Sequence, residues 1–129
     1  MVTSSGLIVE MAVQFRKEFV NLPLQDQLAI TEFAQHLMIF GFENLEGKNK
    51  SSDNVPTNDP KWREKVSYAQ KHHLWHYHIG IKQYDKTKDF GERTSEYVLH
   101  YQKLGNVIRL VDYSSHPPFK LPSEIYLQN

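Results

Sequence analysis

Cysteine is absent from the 129 residues of this chain. Disulfide bridges, thiolate zinc sites and cysteine nucleophiles are therefore excluded. Long apolar runs are missing too, because Glu10 interrupts the most hydrophobic N-terminal stretch, LIVEMAVQF, which is too short to span a bilayer. Since no basic stretch precedes it and no small-residue cleavage site follows, we expect no signal peptide and a cytoplasmic protein that makes no contact with membranes.

Net charge is also absent, with 15 Lys and Arg against 15 Asp and Glu. The charges are nevertheless unevenly distributed: residues 1–60 carry four basic side chains against eight acidic ones, whereas residues 61–88 carry seven against two and hold four of the seven histidines. The basic middle segment can attract phosphate, but the acidic first part argues against a protein that coats nucleic acid on every side. A merely solvated charged face explains the charge equally well.

Hydrophobic periodicity predicts helices and a loop in the first half of the chain. Residues 7–15 are consistent with a short opening strand, and residues 22–42 form an amphipathic helix pattern that Pro23 opens and Gly41 closes. Its expected apolar positions are Leu24, Leu28, Phe33, Leu37 and Phe40. Residues 43–60 are rich in Asn, Ser, Asp, Gly and Pro, which indicates a loop, and the segment after them reads as a short helix or an extended lead-in.

Strands dominate the second half. Residues 73–81 and 94–103 alternate in polarity, and the turn at Leu104, Gly105 and Asn106 joins the second of these strands to NVIRLVDY as a hairpin. The proline-containing tail predicts a turn followed by at most a short terminal helix. One α+β domain over residues 1–129 is therefore expected, with N-terminal helices packed on one face of a small antiparallel sheet.

The stretch KHHLWHYHIGI carries four histidines within seven residues. On a strand, His76 and His78 share one face, which Lys82 continues, while aromatic side chains occupy the other. We expect the aromatic face, with its counterpart on the next strand, to be core; it comprises Trp75, Tyr77, Tyr97, Leu99 and Tyr101.

Three uses of the histidine face remain open from residue types alone. His76 and His78, with His100 opposite them, would offer three imidazoles to zinc, but no acidic residue at ligand spacing and no HExxH motif supports this, so we expect no metal and no cofactor. The same imidazoles suit proton transfer in RNA cleavage, with Lys82 and Arg93 holding phosphate. The third interpretation, which explains the pattern as well as a zinc site or an RNA-cleaving site does, is a histidine-bearing sheet face that is exposed to solvent.

The second half of the chain combines Arg93 and Thr94 before a strand, Glu96, the LHY segment at Leu99–Tyr101, and His116 beside two prolines. In these residues it resembles the bacterial toxins of the RelE/ParE superfamily, and within it most closely the YafO group. HLWHYHIGI is similar to the strand that precedes this element. The match covers about the last 60 residues by motif and most of the chain by layout.

The resemblance implies the toxin of a toxin–antitoxin pair, a RelE-like domain that cleaves mRNA on the ribosome without a metal and that a cognate antitoxin neutralises in an oligomeric complex. Arg93 would then contact phosphate, His116 would act as general acid or base, and Tyr113 would position the scissile phosphate. From the strand pattern, His78 and His100 join the expected catalytic residues, and His76 and Lys82 join the RNA-binding ones. A non-catalytic toxin of the same fold that blocks the ribosome or DNA gyrase is the alternative.

Overall fold

The computed structural model describes residues 4–116 and 119–128. Its elements in chain order are β1 (Ile8–Met11), α1 (Val13–Phe19), α2 (Leu24–Phe40), β2 (Asn49–Ser51), α3 (Trp62–Lys71), β3 (Leu74–His78), β4 (Tyr97–Leu104), β5 (Val107–Ser115) and a 3-10 helix (Glu124–Leu127). Among the described residues, no helix has the length and apolar character needed to cross a bilayer.

The five strands form one sheet in the order β1-β5-β4-β3-β2. Strands β2 to β5 pair antiparallel, with a two-residue turn at Gly105 and Asn106 joining β4 to β5, whereas β1 pairs parallel to β5. The α+β fold and the β3-β4-β5 meander are therefore confirmed. The predicted opening strand is shorter than expected, because the chain leaves the sheet after Met11 and begins α1 at Val13.

Helix α2 lies between Pro23 and Gly41, as predicted. Its buried stripe is Ile30, Phe33 and Leu37, and the Phe33 ring stacks on Tyr77 with 4.4 Å between ring centroids. The expected apolar positions Leu24, Leu28 and Phe40 are exposed instead. At about 100° per residue, Leu24 and Leu28 fall on the opposite side of the helix from Ile30, and Phe40 occupies the last helical position.

Helices cover both faces of the sheet, which corrects the prediction that they pack on one. Helix α2 lies on the face that carries Tyr77, Leu99 and Tyr101. On the other face, Ala69 of α3 and Leu127 of the 3-10 helix pack with Leu74 and Val111. The whole second apolar cluster consists of Ala12, Tyr68, Ala69, Leu74, Val111, Leu121 and Leu127. The core assignment of the aromatic face is confirmed, with Tyr77, Leu99 and Tyr101 buried and Trp75 and Tyr97 packed against them.

Two further segments differ from or extend the sequence prediction. The region predicted as loop contains β2, which pairs with β3 through Asn49–Ser51. The segment after it forms a full ten-residue helix, α3. The short terminal helix of the tail is confirmed as a 3-10 helix, whereas the two prolines of the predicted turn, at positions 117 and 118, lie outside the described residues.

Candidate functional site

Four histidines meet on one face of the sheet. His76 and His78 point the same way because they are two residues apart on β3, and His100 of β4 lies directly opposite His76 in the antiparallel register. His116 follows the end of β5, where its backbone N–H donates to the carbonyl of Glu96. One ring nitrogen from each of His76, His78 and His116 lies within 4.8 Å of the other two. We call these three residues the histidine cluster.

Hydrogen bonds at Nδ1 orient the two strand histidines. The Nδ1 atom of His76 lies 2.9 Å from the Ser52 hydroxyl, and that of His78 lies 3.0 Å from the Ser95 carbonyl oxygen. The Ser95 N–H is also 3.1 Å from His78 Nδ1, so the tautomer of His78 decides whether this nitrogen donates to the carbonyl or accepts from the amide. Both residues therefore keep Nε2 for another partner.

His100 differs from the cluster because it is fully buried. Its Nε2 atom lies 2.9 Å from the Ser114 hydroxyl, and its Nδ1 atom has no hydrogen-bond partner within residues 4–116 and 119–128. The ring of Phe119 lies over His76 and His100, with centroids 4.6 and 5.6 Å away. The interpretation of these histidines as a sheet face exposed to solvent is therefore wrong, since His76, His78 and His100 are all at most 6% exposed.

Burial holds these imidazoles in the neutral form. Desolvation, with smaller contributions from the neighbouring imidazoles and Lys50, lowers the pKa of His76 to about 3. Burial likewise lowers the pKa of His100 to about 3. The pKa values of His78 and His116 are also lowered, again chiefly by burial, although the hydrogen bond to Ser95 opposes the shift at His78. At neutral pH the cluster therefore consists of proton acceptors.

The histidine cluster opens into a pocket of about 1250 Å³. Lysines at positions 48 and 50, from β2 and the residue before it, line one side, and the segment between β3 and β4 lines the other through Gln83, Tyr84, Asp85, Lys86, Thr87, Thr94, Ser95 and Glu96. The pocket thus combines neutral imidazoles with ammonium groups. Such a combination can hold an anion while a proton moves to or from it.

Gly47 and Tyr84 fix the wall beside His78. The Tyr84 hydroxyl lies 2.8 Å from both the Tyr77 hydroxyl and the His78 carbonyl oxygen, and the Gly47 N–H donates to the Tyr77 hydroxyl over 3.0 Å. A Cβ atom at position 47 would lie 1.9 Å from the His78 carbonyl oxygen and 2.7 Å from the Tyr84 hydroxyl. Only glycine lets the chain approach β3 this closely.

We expect Gly47→Ala to lower the free energy of unfolding by roughly 2–4 kcal/mol, because the backbone at Gly47 or at His78 must move to accept the methyl group. The midpoint of urea unfolding measures this change. Gly105→Ala is the matched control: its Cβ would meet nothing within 4 Å, so only its left-handed φ of 64° should cost stability, by about 1–2 kcal/mol. Equal losses for the two variants would contradict the close approach at Gly47.

Three residues predicted for the site lie away from the histidine cluster. The Arg93 guanidinium forms an ion pair with Glu46 over 2.8 Å and donates to the Lys88 carbonyl. Tyr113 lies on the α2 face, where its hydroxyl donates to Asp26 over 2.9 Å. Lys82 is exposed and does not line the pocket. Their expected contacts with phosphate stay predictions.

Sequence reasoning missed Lys48, Lys50 and Ser52. Lys50 lies on β2 opposite His76, and Lys48 and Ser52 flank the strand two residues away from Lys50 on either side. All three therefore face the same side as His76 and His78. The alternation K-N-K-S-S was readable, but the surrounding turn residues dominated the prediction of a loop. Ser95 and Phe119 carried no signal of their own, because each reaches the histidines only through the folded arrangement.

No family model matches this chain, no curated protein matches it, and no solved structure matches it.

Proposed function

We propose that this chain is the toxin of a toxin–antitoxin pair and inhibits translation as an endoribonuclease that cleaves mRNA on the ribosome. The observation that carries the catalytic part is the cluster of His76, His78 and His116 at the base of a pocket with Lys48 and Lys50 at its side. The sequence resemblance to the RelE/ParE superfamily supports the ribosome and an antitoxin as partners. No cofactor is needed for the reaction below.

His116 is the best-placed general base. It is the least buried of the three cluster histidines, and its lowered pKa keeps it neutral at physiological pH. In the proposed reaction it takes the proton of a ribose 2′-hydroxyl while that oxygen bonds to the adjacent phosphorus. The P–O5′ bond then breaks, which leaves a 2′,3′-cyclic phosphate and a 5′-oxygen that must receive a proton.

His78 supplies that proton in the proposal. Its ring centroid lies 5.4 Å from that of His116. At this spacing one imidazole can contact the 2′-oxygen and the other the 5′-oxygen, on opposite sides of one phosphorus. The Ser95 carbonyl accepts from Nδ1–H and thus favours the imidazolium, and the negative charge of a bound phosphodiester does the same. In the proposed complex, the charge of the bound phosphodiester would offset the burial that lowers the pKa of His78, so that His78 gains a proton and donates it from Nε2. The ammonium groups of Lys48 and Lys50 offset the rest of the charge on phosphate.

Induced expression in a bacterial host tests this function. We expect incorporation of labelled methionine to fall within minutes, with new mRNA 5′ ends at fixed positions relative to codons. If methionine incorporation falls while mRNA stays intact, the protein blocks the ribosome and does not cleave mRNA. Inhibited DNA supercoiling would identify gyrase as the target. Unchanged growth with intact message would contradict both.

The lysines at positions 48 and 50 should govern RNA affinity. Lys48→Gln combined with Lys50→Gln removes two phosphate contacts, so binding to single-stranded RNA should weaken about tenfold at moderate salt, and the slope of log affinity against log salt should fall by roughly one to two. Lys17→Gln combined with Lys71→Gln has the same net charge but alters exposed residues outside the pocket. Equal weakening in both double variants would show that only net charge matters.

A further inference from the structure

The histidine cluster also has side chains that can bind a metal ion. Its three ring nitrogens lie within 4.8 Å of one another, whereas three nitrogens on a tetrahedral zinc ion, each about 2.0–2.1 Å from the metal, lie about 3.3 Å apart. Closing the difference requires side-chain rotation and a small shift at one member. His116 can supply it because it follows the end of β5 and is only partly buried.

The hydrogen bonds of the strand histidines are compatible with metal binding. A ligating imidazole binds the ion through one nitrogen and donates from the other to a neighbouring oxygen, which fixes its orientation. His76 and His78 have such oxygens at Nδ1, the Ser52 hydroxyl and the Ser95 carbonyl. A metal at Nε2 of His78 would select the tautomer in which Nδ1–H donates to the Ser95 carbonyl rather than accepting from the amide.

The ligand set determines which ions fit. Three imidazoles without a carboxylate at the cluster suit Zn²⁺ and neighbouring d-block cations, and they suit Mg²⁺ and Ca²⁺ poorly because those ions prefer oxygen. All three histidines line the pocket, so water or an anion from the pocket could complete the coordination of a bound ion. The ammonium groups of Lys48 and Lys50 repel a cation, and affinity should therefore be lower than at a closed structural zinc site.

We propose that His76, His78 and His116 bind one divalent d-block cation, with Zn²⁺ as the best fit, and that the bound ion stops RNA cleavage. Binding of the metal ion does not depend on the proposed nuclease function. Inhibition rests on it, because the ion occupies the ring nitrogens that would otherwise move protons. From residue types alone no metal was expected, and the zinc alternative there used His76, His78 and His100. In the present proposal His116 takes the place of His100, whose Nε2 lies against the Ser114 hydroxyl.

Titration of the chelator-treated full chain with Zn²⁺, followed by calorimetry, tests the binding. We expect one ion per chain, and a visible d–d spectrum of tetrahedral type when Co²⁺ is used instead. His116→Ala, with circular dichroism to confirm its fold, should weaken Zn²⁺ binding at least about 100-fold. His73→Asn should bind as the wild type does, because His73 is exposed and Asn tolerates its positive φ of 54°. Equal affinity in the wild type and His116→Ala would overturn the site.

Inhibition needs a separate measurement in the RNA-cleavage assay. Equimolar Zn²⁺ should suppress cleavage by the wild type, and a chelator should restore it. If the ion binds and cleavage continues, the inhibitory part is wrong while the site stands. If no condition gives cleavage, the proposed nuclease fails, and the zinc titration still decides whether the metal site exists.

Discussion

His116→Ala should lower the rate of RNA cleavage by about 10²–10⁴-fold, the contribution expected of a positioned general base. The loss should appear in kcat rather than in KM, because RNA affinity in this account comes from Lys48 and Lys50. Since His116 is partly exposed and follows the end of β5, the free energy of unfolding should change by less than about 1 kcal/mol. Single-turnover cleavage on programmed ribosomes measures the rate.

His73→Asn is the matched control for this substitution. It also removes an imidazole, but from an exposed position that does not line the pocket, so cleavage should remain at the wild-type rate. His116→Ala cleaving within about threefold of the wild type would remove His116 from the reaction. A folded variant that keeps its kcat but binds RNA poorly would make His116 a binding residue instead.

Acidification from pH 7 to pH 5 should destabilise the fold by roughly 2–3 kcal/mol. His76 and His100 have folded pKa values of about 3, below the value near 6.5 of an unfolded histidine, so the unfolded chain binds protons first as the pH falls. The stabilising effect of keeping them neutral is thus complete above pH 6.5 and is lost progressively toward pH 3. Linkage gives about 2 kcal/mol lost per imidazole at pH 5.

Asp112 opposes this trend. Burial raises its folded pKa to about 6, so its ionisation destabilises the fold as the pH rises, and acidification to pH 5 recovers about 1 kcal/mol. The net effect remains destabilising because two histidines act against one carboxyl group. Urea midpoints at the two pH values measure it.

His100→Gln isolates the contribution of one histidine. Glutamine can keep a hydrogen bond to the Ser114 hydroxyl but does not titrate, so the variant, although less stable overall, should lose about 2 kcal/mol of the acid dependence, roughly two thirds of it. Identical unfolding midpoints at pH 7 and pH 5 in the wild type would show that the buried histidines do not control acid stability.

Local patterns predicted the parts of the fold that depend on neighbouring residues. Alternation identified β3 and β4, the turn at Gly105 identified the hairpin, and Pro23 and Gly41 marked the ends of α2. Parallel pairing of β1 with β5 was not predictable in this way, because it joins Ile8 to Val107 across the chain and leaves no local signature.

In the candidate site, too, features set by local spacing were predictable and features set by tertiary packing were not. His76 and His78 are two residues apart on β3 and therefore share one face, and the register of β3 with β4 places His100 opposite His76. The shared location of these three histidines was therefore predictable from spacing. Burial of that face was not, because it depends on Phe119, Leu127 and α3 closing over the sheet. Nor could spacing show that Arg93 would pair with Glu46, which is 47 residues away in the sequence.

The chemistry of the cleaved ends tests the central claim most directly. RNA cut by the wild type on programmed ribosomes, in the presence of a chelator, should carry a 2′,3′-cyclic phosphate and a 5′-hydroxyl, and a 2′-deoxy nucleotide at the cleaved position should abolish cutting. Mass spectrometry of the fragments distinguishes these ends. A 3′-hydroxyl with a 5′-phosphate, or cleavage that survives the 2′-deoxy substitution, would contradict attack by the 2′-hydroxyl at the histidine cluster.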